Sequence, residues 1–280
     1  MDIKDTLQWQ AAVRTEEEII SRIRDKGLGD HSLLKGSYVI QNLARETIKT
    51  IPRLELVFHD IKEEEVRAAI LDNPEESPVK IADILGGKEA ESPGSTRRIL
   101  VVKSKLNNIT SSLYLDIIFF DSRDSSEASL YWGADSSNKE DIPFLSGEGG
   151  FIPIPVICPE GIFMDRLILL TSEGGFADSM EPYFDLLCMV SGVCLEGRKL
   201  GDYMRRFYSP EKLSDFKGLK GNKGLVGRWR AYAREKRLKV KDFPELIERI
   251  LQVISPVAEA VDSDLEFFGT WMPELSRYIG

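Results

Sequence analysis

Two histidines, His31 and His59, and three cysteines, Cys158, Cys188 and Cys194, are all that 280 residues offer of the usual soft metal ligands. A multi-histidine metal centre is excluded, and no pair of cysteines has zinc-ligand spacing. An odd number of cysteines in apolar surroundings argues against a disulfide framework and for reduced thiols in a core. No apolar run is long enough to span a membrane. The first residues, Met1-Asp2-Ile3-Lys4-Asp5, carry no apolar leader, so the expectation is a soluble, cytoplasmic protein. Net positive charge is lacking too: 37 Lys and Arg against 46 Asp and Glu give −9. Binding of nucleic acid by the whole surface is therefore excluded, and any such binding must be local.

What is present is a length and an apolar content (42%) sufficient for one large or two modest domains. Helix is expected over residues 2–27, with Thr15 and Glu18 as a capping box and Ile19, Ile20 and Ile23 on one face. Leu33-Leu34-Lys35-Gly36-Ser37 then reads as a short strand, a Gly-Ser step and the start of a helix running to about Lys49. Glycine lets the backbone approach closely, serine supplies a hydroxyl, and a helix N-terminus adds partial positive charge. Together these suit a phosphate. Arg53 to Phe58 alternates as a strand, with Leu54, Leu56 and Phe58 on one face and Arg53, Glu55 and Val57 on the other.

An acidic helix is expected over 62–72, and a short helix or strand over Ile81–Leu85. Lys88 to Thr96 reads as a connection. Arg97–Ser104 and Ser111–Phe120 read as a hairpin turning at Asn107-Asn108. Asp116 lies in the middle of the apolar second strand, where an unpaired charge would be costly. Residues 122–150 read as a loop, and Phe151–Ile157, with Pro153 and Pro155, as an edge strand. Beyond Pro159 the chain reads as helices, including one over Glu181–Gly192. The domain boundary is accordingly expected at 1–158 and 159–280.

One stretch departs from the overall acidity. Between Lys217 and Lys241 there are ten Lys and Arg and one acid, Glu235, interleaved with Trp229 and Tyr232. Lys223, Arg228, Arg230 and Arg234 are the candidates for an RNA backbone, and the alternative is a solvated helix face over a buried Trp229.

The order of features resembles the AbiEii/AbiGii family of nucleotidyltransferase-like toxins, within the polymerase-beta-like nucleotidyltransferase superfamily. Leu34-Lys35-Gly36-Ser37 resembles the family's Lys-Gly-Gly-Thr/Ser motif, and the Arg53–Glu55 strand its Asp-x-Asp strand. Ile157-Cys158-Pro159-Glu160 leading into Met164-Asp165-Arg166-Leu167 resembles its Glu-Lys-Leu helix. Tyr183-Phe184-Asp185-Leu186 and Gly269-Thr270-Trp271-Met272-Pro273 resemble its later segments. The resemblance implies an α+β fold: a nucleotidyltransferase-like mixed sheet with flanking helices, then a C-terminal helical domain. It also implies transfer of a nucleotide from an NTP to an RNA or protein acceptor.

Carried over residue by residue, it implies Mg2+ at Glu55 and Asp116, with Arg166 and Asp185 also catalytic, and nucleotide contacts at Lys35, Gly36, Ser37 and Arg53. tRNA or another RNA and a cognate antitoxin are the implied partners. The departures are specific: Arg53 replaces the first Asp of Asp-x-Asp, Asp165-Arg166 replaces Glu-Lys, and Glu181-Pro182 replaces a basic–acidic pair. A catalytically inactive nucleotide- or RNA-binding module with the same fold is the alternative.

Overall fold

In a computed structural model, residues 3–44, 52–92, 94–123, 128–133, 137–138, 142–147, 150–171, 179–208 and 210–280 are described. The chain forms two compact units, Met1–Asn42 with Lys49–Ile157, and Leu43–Ile48 with Cys158–Gly280.

The first unit is built as α1 (Ile3–Asp25), β1 (Ser32–Lys35), α2 (Ser37–Ala44), β2 (Arg53–His59), α3 (Glu63–Leu71), β3 (Val79–Ser92), β4 (Ser95–Leu106), β5 (Ile109–Phe120), α4 (Ser129–Trp132), β6 (Ser137–Asn138) and β7 (Val156–Ile157). Its seven strands form one mixed sheet in the order β3-β4-β5-β2-β1-β7-β6. β2 runs parallel to β5 and β1 parallel to β7; the remaining pairs are antiparallel. Leu34, Leu54, Leu56, Phe58, Leu100, Val102, Leu113 and Leu115 fall on one face by the period of two and are all buried. α1 covers this face: the Thr15 hydroxyl bonds Ser104 Oγ at 2.7 Å, and Ser104 in turn bonds Ser111 at 2.8 Å.

Several expectations are revised here. α1 is one unbroken helix, and Thr15 is no cap. Its hydroxyl back-bonds to Ala11 O at 2.8 Å in mid-helix. Residues 88–92 are strand and not a connection, because β3 continues against β4 as a long ribbon. Two register shifts interrupt that ribbon, the second across Leu85 and Lys88, where a Cβ on Gly87 would overlap the Ile99 carbonyl. The 122–150 stretch contains α4 and β6, and the Pro-rich strand shrinks to Val156–Ile157, inside β6 and not at the edge. α2 is described to Ala44, so the expected end near Lys49 lies outside the described residues.

The second unit comprises α5 (Pro159–Thr171), α6 (Glu181–Gly192), β8 (Leu195–Glu196), α7 (Gly197–Phe207), α8 (Pro210–Gly218), α9 (Lys223–Glu235), α10 (Phe243–Asp262), β9 (Thr270–Met272) and β10 (Arg277–Ile279). α10 buries Leu246, Ile247, Ile250, Val253, Ile254 and Val257, a helical stripe that forms much of its core. The last strands form a small sheet β10-β9-β8, in which Trp271 is buried and donates to Val190 O at 2.9 Å. Cys158 and Cys188 are buried as expected, but Cys194 is exposed. Among the described residues no helix is long and apolar enough to cross a membrane.

α9 starts at Asn222, whose side-chain oxygen accepts from Gly224 N at 3.0 Å and Leu225 N at 3.1 Å. Losing such a cap costs about 1 kcal/mol. Asn222→Ala is expected to lower hydrogen-exchange protection across the first turns of α9 by roughly fivefold, with the sheet of the first unit unchanged.

Candidate functional site

The second face of the sheet carries the charges. Lys35 is opposite Glu55 across β1 and β2, and Glu55 is opposite Asp116 across β2 and β5. The three side chains are buried at 5%, 3% and 2% exposure. β1 ends at Lys35, Gly36 turns the chain at φ +85°, and α2 begins at Ser37. Gly36 is required twice over: the conformation disfavours an L side chain, and a Cβ would overlap the Glu55 carboxylate. The Lys35 ammonium lies 3.4 Å from the Tyr131 hydroxyl and 5.2 Å from its ring centre. α4, which carries Tyr131, thus covers one end of this face.

Asp116 is clasped by two guanidinium groups. Arg97 donates from Nε to Oδ1 at 2.9 Å and from Nη2 to Oδ2 at 2.6 Å, a bidentate pair. Arg53 donates from Nη2 to Oδ2 at 2.5 Å. The two arginine side chains retain 21% and 26% of their exposure, so each still faces solvent in part.

The resemblance implies Asp116 and Glu55 as metal ligands, and the structure brings them side by side. It also places Arg53 and Arg97 on both oxygens of Asp116. A divalent ion there would have to displace two cations from a buried carboxylate, so the donor set as arranged does not fit Mg2+. Among the described residues no group of three or more His, Cys, Asp or Glu is disposed to hold a metal.

Beneath the turn lies a second acidic pair, on α1. Glu17 accepts from Ser146 N at 2.9 Å and Ser146 Oγ at 2.8 Å, and Tyr38 OH lies at 3.5 Å. Glu16 is buried beside a cavity of about 10 Å³ lined also by Trp9, Ser37, Gln41 and Arg53, at the lower limit for one water. Burial, then the neighbouring Glu17 charge, push the Glu16 carboxyl up to about 8, against a hydrogen bond from the Arg53 backbone N–H. Glu16 thus ties α1 to the residue that holds Asp116. No motif pointed to Glu16, Glu17 or Arg97.

Asp165, Arg166 and Asp185 belong to the second unit. Arg166 donates from Nε to Asp185 at 2.9 Å and from Nη1 to Asp165 at 3.1 Å, and all three are buried. Arg166 and Asp185, which the resemblance implies to be catalytic, form with Asp165 an interior clamp between α5 and α6, the guanidinium engaged by carboxylates on two edges. On α9, Leu225, Trp229 and Ala233 form the buried stripe; Lys223, Arg230 and Arg234 are exposed, and Arg228 is half-buried.

Glu16 sets a pH dependence. In the unfolded chain it ionises above its ordinary 4.5; in the folded protein it keeps its proton to about 8. The stability it contributes is full below 4.5 and is lost as pH rises toward 8, amounting to on the order of 4 kcal/mol. Glu16→Gln is expected to flatten the fall in denaturation midpoint between pH 5 and pH 8. A variant with the slope of the parent would assign the carboxyl an ordinary value.

No family model and no curated protein matches the chain. Two solved Helicobacter pylori structures are similar in fold. JHP933 has a TM-score of 0.53 at 15% identity over 90% of this chain and 94% of that one. A protein described as a "putative nucleotidyltransferase" has a TM-score of 0.51 at 15% identity, over 90% of this chain and 97% of its own. Identity this low speaks to architecture alone: the chain shares its mixed α+β fold with these two proteins.

Proposed function

We propose that this protein binds a nucleoside triphosphate at the β1–α2 turn, and that its arginines take the place of a divalent ion there. The observation that carries the proposal is the clasp on Asp116: the buried carboxylate already has two guanidinium partners. Guanidinium groups recognise phosphate through paired N–H donors, and Arg53 and Arg97 both retain solvent-facing surface. Gly36 and Ser37 supply a backbone turn and a helix N-terminus beside them. The protein on this reading is a nucleotide-binding module on a nucleotidyltransferase-like fold.

A second reading is favoured by one specific observation: Glu55 and Asp116 are buried and directly opposite each other in register. On that reading the protein transfers a nucleotide from an NTP to an RNA or protein acceptor with Mg2+, after Asp116 leaves its arginines. The motif order resembling the AbiEii/AbiGii toxins supports the same reading, including an antitoxin partner. The exposed Lys223, Arg230 and Arg234 would serve an RNA acceptor.

Calorimetric titration of the purified protein with each of the four NTPs, in EDTA and in Mg2+, separates the two. Binding is expected to survive EDTA and to weaken at least tenfold in Arg97→Ala, consistent with loss of a charge-assisted contact. In parallel, no label from α-labelled NTP is expected to reach total RNA or protein. Mg2+-dependent label transfer that Glu55→Gln abolishes would overturn the first reading in favour of the second.

A further inference from the structure

The charged face continues past the Asp116 clasp into a surface that neither phosphate binding nor the sheet core accounts for. On β5, Ser112, Tyr114, Asp116 and Ile118 share the face opposite to the buried Leu113, Leu115 and Ile117. Tyr114 is 46% exposed, one of few large apolar side chains so open. It stands opposite Arg53 on β2 and opposite Val101 on β4. Ile99, opposite Asp116, and Val101 are both half-buried on that face. Further along β4 the same face presents Lys103 and Lys105, both exposed. An exposed ring beside apolar residues, flanked by cations, on a chain of net charge −9 suits an anion with an aromatic part.

We propose that Tyr114 is the base platform of the nucleotide site, stacking on the nucleobase of an NTP whose phosphates lie at Arg53 and Arg97. The assignment rests on the nucleotide-binding reading above. Tyr114 and Asp116 are two residues apart on one strand, about 7 Å, a separation that a ribose bridges. Ile99 and Val101 form the apolar floor beside the ring. Stacking uses the π-face common to all bases, so the platform gives affinity with little choice among the four.

The test compares ATP with inorganic tripolyphosphate, both in EDTA, by calorimetry on the full chain. Tyr114→Ala and Tyr114→Leu are expected to lower the ratio of ATP affinity to tripolyphosphate affinity about tenfold, the size of one lost base–aromatic stack. Tyr114→Phe keeps the ratio. Tripolyphosphate binding unchanged in all three variants shows that the fold and the phosphate site survive. An unchanged ratio in Tyr114→Ala overturns the platform while leaving the phosphate site intact. Failure of the parent protein to bind either ligand overturns the nucleotide site and the platform together.

Discussion

Asp116 is a carboxylate at 2% exposure in the middle of an apolar strand, and the arrangement of its sheet end follows from giving it partners. An isolated carboxylate there would be prohibitive, and a half-satisfied one would weaken the core. Arg97 reaches it from β4 on one side and Arg53 from β2 on the other. Glu55, also on β2, faces Asp116 directly, and Lys35 of β1 faces Glu55. Charges therefore run across four adjacent strands, and no strand can slip by one residue without breaking the row. Gly36 belongs to the same constraint, since only a residue without Cβ lets the chain turn beside the Glu55 carboxylate. α1 is tied in as well: Glu16 accepts from the Arg53 backbone, and Glu17 accepts from Ser146.

This network changes the chemistry that the fold offers. Two opposed carboxylates invite a hard cation, because each presents oxygens and negative charge at short range. Here the cations are already covalently part of the chain. A guanidinium is always charged and cannot be washed out, and it offers directional N–H donors where an ion would offer open coordination positions. On the nucleotide-binding reading the arginines would meet phosphate through N–H donors, without the shared coordination by which a metal ion polarises attacking and leaving oxygens. The arginine clasp and the distinction between binding and transfer are thus one question, decided by whether Asp116 can exchange partners.

The sequence made part of this legible. Asp116 was visible as a charge in an apolar strand and Lys35-Gly36-Ser37 as a strand-to-helix turn, whereas Glu55 was marked by the resemblance. Arg97 was within reach of the same logic and was missed. A hairpin turning at Asn107-Asn108 pairs Ile99 with Asp116 and Arg97 with Ile118, which puts Arg97 on the face of Asp116 and one step diagonal to it. The end of β3 was not legible, because a solvated ribbon with Gly-Gly-Lys-Glu-Ala-Glu-Ser has no buried face and so no period. Thr15 misled for the opposite reason: a capping residue type served a buried hydroxyl network in mid-helix. Arg166 and Asp185 were marked as catalytic by the resemblance alone, and local spacing carries no information on burial. The clamp between α5 and α6 emerges only when both helices are packed.

The charge balance gains a different meaning once positions are known. A chain of −9 repels polyanions at long range, yet over about 8 Å at physiological ionic strength that repulsion is screened. What a phosphate meets at contact is local: in the first unit, Arg53, Arg97, Lys103 and Lys105 on one sheet face; in the second, the exposed Lys223, Arg230 and Arg234 of α9. The two differ in preparation. The α9 side chains stand on a helix surface and must be ordered by whatever they bind, at a cost in side-chain entropy. Arg53 and Arg97 are already ordered by Asp116, with their strands fixed by a continuous ladder. A carboxylate that neutralises them also orients them, which lowers the ordering cost that a small polyanion would otherwise meet on binding.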